Sequence, residues 1–218
     1  MRDMHCHILP GVDDGARDMR ESLAMLDAAV EAGVSSMVCT PHCRKPWFDF
    51  EAMWSAYDDF TAQAQTRYPD FYIGMGFEVN YDTLSQIGFE WTRELGFAGS
   101  NEFLLELSNS APRSKYAEYQ RFVFKLQSMG YEVIIAHPER YRAIQDDLEL
   151  AWQFKEMGCK LQASADFIAG GRGADSKKPA IALFKEGLYD YVASDAHNPK
   201  HYKLLQKAVK KYGNPARS

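Results

Sequence analysis

The chain has 218 residues, 46% of them hydrophobic, and its 30 acidic against 25 basic side chains leave a formal net charge of −5. That length supports one substantial core and falls in the range where α/β barrels run as a single domain, while the mild acidity is unsuited to a polyanion-binding surface, so nucleic acid is not an expected partner. No apolar run approaches the roughly 18 residues of a membrane span, so direct membrane insertion is not expected. Cys6, Cys39, Cys43 and Cys159 show no CxxC or zinc-ribbon spacing, and no secretory signal precedes Met1-Arg2-Asp3, so a reducing cytoplasm is the expected location.

The first predicted strand ends in Asp3-Met4-His5-Cys6-His7. Residues two apart on a strand share a face, so His5 and His7 offer two imidazoles to one point while Cys6 faces away. A helix is expected over Ser22 to Ala32, closed by Gly33, and a strand over Ser35 to Thr40. Then come a helix over Glu51 to Tyr68 before Pro69, a strand over Phe71 to Val79, and a strand over Glu102 to Leu107. Tyr116 to Met129 reads as a helix closed by Gly130, Tyr131 to Ala136 as a strand, and Leu148 to Met157 as a helix closed by Gly158. Strands over Lys160 to Ser164 and Tyr189 to Ser194 complete seven βα units, and the basic tail from Lys210 to Ser218 is expected to fray. Alternation of this kind implies a parallel sheet, and units of ~30 residues suit a closed barrel one unit short of eight.

The polar residues fall at the C-terminal ends of these strands: His5 and His7 on the first, His42 after the second, Glu78 on the third, Glu106 on the fourth, His137 on the fifth, Asp195 and His197 on the seventh. Five of the six histidines lie at such ends, and only His201 does not. In (β/α) barrels those ends form the active-site face, so residues scattered in sequence converge on one bowl. Imidazoles mixed with carboxylates and no thiolate framework suit Mn²⁺, Fe²⁺ or Zn²⁺ rather than a structural zinc knot. With one carboxylate of the pair Asp13-Asp14 the set holds nine candidate ligands, too many for one ion, so two or three metals sharing a bridging carboxylate are expected, Glu78 being the candidate bridge. Paired ions ~4 Å apart lower the pKa of a shared water and clamp the oxygens of an in-line phosphoryl displacement, which is phosphoesterase chemistry.

The blocks His5-Cys6-His7-Ile8-Leu9-Pro10-Gly11 with Asp13-Asp14-Gly15, Thr40-Pro41-His42, Ala136-His137-Pro138-Glu139-Arg140-Tyr141 and Ser194-Asp195-Ala196-His197-Asn198 resemble the polymerase-and-histidinol-phosphatase (PHP) superfamily, and within it the bacterial CpsB/YwqE-type protein-tyrosine phosphatases. The resemblance runs to about residue 200 and implies a distorted (β/α)7 TIM-like barrel, the PHP fold, as one metallophosphoesterase domain over residues 1–218. It also implies a trinuclear, usually manganese-dependent centre and, as partner, the phosphotyrosine-bearing tail of a membrane-associated bacterial tyrosine kinase of capsule or exopolysaccharide synthesis. Position by position, the resemblance puts His5, His7, Glu78 and Asp195 around one metal, Glu78, Glu106 and His137 around a second, and Asp14, His42 and His197 around a third. Asp13 stands as a near alternative to Asp14. Arg140, three residues beyond His137, is the candidate for gripping the phosphoryl oxygens and stabilising the transition state. Because tyrosine's pKa is near 10, its phenolate leaves without a strong general acid.

The chain departs from the family pattern at Cys43, where a second histidine usually follows the first, and at Tyr202, where relatives commonly carry an arginine. Leu161 to Phe167 matches the usual sixth strand end only loosely. A cysteine-dependent tyrosine phosphatase needs an arginine six residues after its nucleophile, but Val12, Lys45, Asp49 and Ala165 occupy those positions. A phosphatase of histidinol phosphate or another small phosphomonoester is the alternative activity, followed by a metal-dependent nuclease or a non-catalytic module. Trp47, Phe48, Phe50 and Tyr141 are placed where loops build a wall for an aromatic substrate.

Overall fold

A computed structural model describes residues 1–171 and 175–214. Seven parallel staves, each followed by helix, wrap into a distorted barrel, as the alternation predicted. The first stave is β1 (Arg2–Cys6) and the second is broken into β2 (Ser36–Cys39) and β3 (His42–Cys43). The third is broken likewise, into β4 (Tyr72–Met75) and β5 (Glu78–Asn80), where one strand from Phe71 to Val79 was expected. β6 (Glu102–Glu106), β7 (Glu132–Ala136), β8 (Lys160–Ser164) and β9 (Tyr191–Ala193) follow the expected strands closely. The two breaks divide the wall into a sheet of order β1-β2-β4 and one of order β3-β5-β6-β7-β8-β9. Beyond the strand ends the wall closes, because the Asp195 N–H donates to the His5 carbonyl at 2.8 Å and the His7 N–H to the Ala196 carbonyl at 2.9 Å.

The helices are α1 (Met19–Glu31), α2 (Phe50–Arg67), α3 (Tyr81–Ile87), α4 (Thr92–Leu95), α5 (Tyr116–Ser128), α6 (Arg142–Asp146), α7 (Glu149–Glu156), α8 (Lys177–Lys185) and α9 (His201–Tyr212). α1 starts three residues before the expected Ser22 because the Asp18 carboxylate accepts the Glu21 N–H at 2.8 Å, a cap worth about 1 kcal/mol. α3, α4, α6, α8 and α9 had no counterpart among the expected helices. The basic stretch from Lys210 does not fray at its start, since Lys210 to Tyr212 form the last turn of α9; residues 215–218 lie outside the described set. Among the described residues no helix is long and apolar enough to cross a membrane.

Alternation along the staves sorts side chains into an outer core beneath the helices and an inner one. Met37, Cys39, Phe103, Leu105, Val133, Ile135, Leu161 and Val192 face outward into the helices. Met4, Val38, Phe97, Leu104, Ile134, Ala136 and Ala193 form a small apolar cluster inside the barrel. Gly76 has no room for a side chain, because a Cβ there would collide with the Phe97 ring of that inner plug. Pairing between β1 and β2 is irregular from Asp3 to Cys6, so Met4 and His5, adjacent in sequence, both reach the interior.

Candidate metal centre

The polar residues expected at the strand ends come together above the apolar plug, in one cleft of about 250 Å³. His5, His7, His42, Glu78, Glu106, His137, Asp195 and His197 are buried, and only Asp14 reaches solvent appreciably. Three groups of potential ligand atoms each gather within 4.8 Å: His7, Asp14, His42 and His197; His5, His7 and Asp195; and His42, Glu78 and Glu106. Glu78 is central. Its two carboxylate oxygens lie 2.8 Å from His137 Nε2 and 2.6 Å from His42 Nδ1, and 3.5 Å and 3.4 Å from His5 Nε2 and His7 Nε2. His137 Nε2 also lies 4.0 Å from Glu106. Asp14 sits between His42 and His197, 3.1 Å from each Nε2.

Whether Asp13 or Asp14 faces the cleft, left open by the sequence, is decided by the loop. Asp13 lies 2.8 Å from His7 Nδ1 and accepts the Gly15 N–H at 2.9 Å and the His42 N–H at 3.1 Å, which leaves Asp14 to point inward. Burial works to raise the Asp13 carboxyl, but the neighbouring His7 and His42 hold it down at about 2. The loop lies so close to β1 that a Cβ on Gly15 would collide with the His7 carbonyl. A parallel buttress holds His5, whose Nδ1 lies 2.8 Å from the Gln162 side-chain oxygen. Such outer partners orient ligating imidazoles and set their tautomer.

Two ligand-type residues adopt left-handed backbone, His137 with φ 34° and Asp195 with φ 46°. A non-glycine residue there costs about 1–3 kcal/mol, and such strain gathers at functional sites. For His137 it has a purpose: Ala136 already faces the interior, so simple alternation would send the next side chain outward, and the left-handed turn aims the imidazole back at Glu78.

The donor set fits metal cations. Deep burial of five imidazoles and three carboxylates is costly without a compensating charge; the buried His137 Nδ1 makes no hydrogen bond, and His42 Nδ1 and Glu78 Oε2, though 2.6 Å apart, are poorly aligned for one.

Arg140 is no surface ion pair. Its guanidinium donates through one nitrogen to Ser164 Oγ at 2.8 Å, to Asp166 at 3.0 Å and to Asp195. Burial opposes its charge, yet Asp195, Asp166 and Glu139 push its pKa up, so it stays a cation throughout the physiological range. The adjacent Glu139 carboxylate accepts the Ser164 N–H and the Tyr189 hydroxyl, both at 2.8 Å, and burial lifts its carboxyl to about 7. Of the expected aromatic wall, Trp47 flanks the ligands, its ring stacked 5.7 Å from that of His42, and the Tyr141 ring meets that of His137 edge-on at 5.8 Å. Phe48 and Phe50 pack on Phe77 and Trp91 instead, and Tyr141 is buried with its hydroxyl donating to the Ala136 carbonyl at 2.6 Å. Cys43 is buried and its thiol pushed up to about 12, which leaves it inert. Tyr202 is fully buried on α9 and does not line the cleft.

The sequence profile described as "Capsular polysaccharide synthesis, CpsB/CapC" matches residues 1–215. The chain belongs to the CpsB/CapC family. Tyrosine-protein phosphatase YwqE of Bacillus subtilis (strain 168) is 32% identical over 203 residues, covering 92% of this chain and 78% of that protein. Tyrosine-protein phosphatase CpsB of Streptococcus pneumoniae is 28% identical over 226 residues, covering 98% and 91%. A crystal structure from work on YwqE of B. subtilis and CpsB of S. pneumoniae, described as unique metal-dependent tyrosine phosphatases, superimposes with a TM-score of 0.82 at 31% identity, covering 98% of this chain and 88% of that one.

Sequence reasoning missed four contributors to this CpsB/CapC-family site. Gln162, Ser164 and Asp166 support His5, Asp195 and Arg140 from the sixth stave, whose loose match to the family pattern drew attention away from it. Arg44 lines the cleft two residues past His42 and one past the end of β3, and that nearness to a candidate ligand was the available signal.

Proposed function

We propose that this CpsB/CapC-family chain is a metal-dependent protein-tyrosine phosphatase, acting in the cytoplasm as a single domain over residues 1–218. The observation that carries the reading is the convergence of nine ligand-type side chains, most of them buried, on one cleft whose central Glu78 reaches every cluster. Three Mn²⁺ ions are the proposed complement, with Fe²⁺ or Zn²⁺ as substitutes: His5, His7, Glu78 and Asp195 hold one, Glu78, Glu106 and His137 a second, and Asp14, His42 and His197 the third. Bound ions supply an acidified water and neutralise charge on the transferring phosphoryl group. The protein's own part is placement and electrostatics. Glu78 ties the ligand clusters to one geometry, Asp13 and Gln162 orient the His7 and His5 rings, and Arg140, clamped by Ser164, Asp166 and Asp195, presents fixed positive charge to the phosphoryl oxygens. A cleft of about 250 Å³ lies below the usual range for sites that engulf a whole ligand, which suits a phosphoryl head entering from a flexible chain.

The names of the relatives support phosphotyrosine as substrate, and the family description supports a role in capsule or exopolysaccharide synthesis. The proposed partner is accordingly the phosphotyrosine-bearing tail of a membrane-associated bacterial tyrosine kinase. Purified protein assayed with and without Mn²⁺ on phosphotyrosine peptides, phosphoserine peptides and histidinol phosphate tests the reading. Metal-dependent hydrolysis favouring phosphotyrosine is expected. A strong preference for histidinol phosphate, or activity insensitive to chelator, would overturn it.

A further inference from the structure

Arg44 has no role in the proposed mechanism, yet its guanidinium sits among the ligands. One terminal nitrogen lies 3.3 Å from both oxygens of Glu106, and the other faces His42 Nε2 at 2.9 Å. Its carbon is 5.2 Å above the Trp47 ring, which braces the plane, and its Nε is buried without a hydrogen-bond partner. This is a poor set of partners for a guanidinium. The strong arrangement sets two nitrogens against two oxygens in parallel at 2.7–2.9 Å, whereas here a single nitrogen is shared by both oxygens at the longer distance. The acceptors are also contested, because Glu106 and His42 belong to the groups that gather as potential metal ligands.

Cations bound at Glu106 and His42 would take the lone pairs that Arg44 now faces and would repel its charge. A guanidinium left beside a cluster of dications is stable only with an anion between them. The cleft places Arg44 and Arg140 together in the lining around that space, each with a buried Nε that lacks a partner. We propose that Arg44 is a phosphoryl-binding residue, which metals at Glu106 and His42 release to grip the non-bridging oxygens of the substrate together with Arg140. This rests on the phosphatase reading above and adds a residue to it. Arginine suits the role because its planar fork matches phosphoryl oxygens and stacks on an aromatic face.

Calorimetric titration of inorganic phosphate into the manganese-loaded protein tests the proposal, with metal content by elemental analysis and fold by circular dichroism measured alongside. Arg44→Gln is expected to weaken phosphate binding roughly ten- to hundredfold, the range for a lost hydrogen bond to a charged group, with bound manganese unchanged. Arg44→Lys restores part of the loss, and Lys45→Gln on the exposed neighbour changes nothing. Phosphate affinity of Arg44→Gln within twofold of the parent overturns the proposal, as does loss of manganese from that variant, which would make Arg44 a support of the metal site. Absence of phosphate binding by the parent protein also overturns it. Assay on a phosphotyrosine peptide separates the two readings. A parent protein that binds phosphate through Arg44 but leaves the peptide intact refutes the phosphatase reading alone; a parent that hydrolyses the peptide, with Arg44→Gln equally active and equally able to bind phosphate, refutes the role of Arg44 alone.

Discussion

The barrel interior is divided into two storeys built from the same staves and the same alternation. Below lie Met4, Val38, Leu104, Ile134 and Ala193 around Phe97, a plug without a polar side chain. Above lie His42, Glu106 and Asp195, each an even number of residues further along its stave than an inward plug position, with Gln162 paired in register with inward Ala136 and Glu78 with His42. The lower storey is stabilised by burial alone, at about 1.5–3 kcal/mol for each large side chain. The upper storey gathers charge away from water and holds two residues in left-handed backbone, so it draws on stability provided below. Rigidity beneath and tension above is the arrangement expected of a preorganised metal site.

Substitutions in the two storeys should therefore have opposite signatures. The largest effect is expected from Glu78→Gln, which removes the charge of the central carboxylate and leaves one oxygen where there were two: kcat falls on the order of a thousandfold, about 4 kcal/mol of barrier, while circular dichroism and the melting temperature show an intact fold. Leu104→Ala in the plug should do the reverse. It costs about 3 kcal/mol, visible as a melting temperature roughly 6–12 °C lower, with manganese content and kcat of the folded fraction maintained. A plug variant that lost metal without losing stability would dissolve the distinction between the storeys. Between these extremes, Gln162→Leu removes the partner of His5 Nδ1 and should weaken manganese binding roughly ten- to hundredfold, read by metal titration at constant pH.

The gentlest probe is pH. Burial pulls the His5 and His42 imidazoles down from 6.5, but the Glu78 charge, with Asp195 beside His5 and Asp14 beside His42, overrides it and lifts them to about 9 and about 10 in the metal-free protein. Metals bind the neutral ring, so below these values each ligation expels a proton. Apparent manganese affinity should rise between pH 6.5 and 9, up to roughly tenfold per unit for each proton displaced. The metal-free fold shows the opposite trend, since stability drawn from these protonated rings is complete below 6.5 and is lost as pH climbs through 9. A flat affinity profile would mean that the rings are neutral before metal arrives.

Much of the fold was readable because the strands carry period-two patterns with hydrophobic runs ending in histidine or a carboxylate. β6, β7 and β8 sit within a residue or so of their expected limits. The helices that were missed lacked comparable signals. α3 is a seven-residue helix started by the Asn80 side chain, which accepts the Asp82 and Thr83 N–H groups, and α8 opens on Lys177-Lys178-Pro179 and buries only Ala180 and Leu183. The break at Gly76-Phe77 was hidden for another reason, since it depends on Phe97 packing against the stave, whereas that at Thr40-Pro41 falls where a proline has no N–H to give the ladder.

By itself the sequence determined the class of fold, the chemical type of the site and the residues that meet there, apart from the choice between Asp13 and Asp14, because alternation and strand ends are local properties that the chain carries wherever it folds. Only the tertiary structure decided how those residues are used. It turned Asp14 inward and set Asp13 behind His7, aimed His137 through a left-handed turn, clamped Arg140 between Asp166 and Asp195, and brought Arg44 beside Glu106 from sixty-two residues away. Those choices rest on closure of the barrel, and closure is a property of all seven staves together.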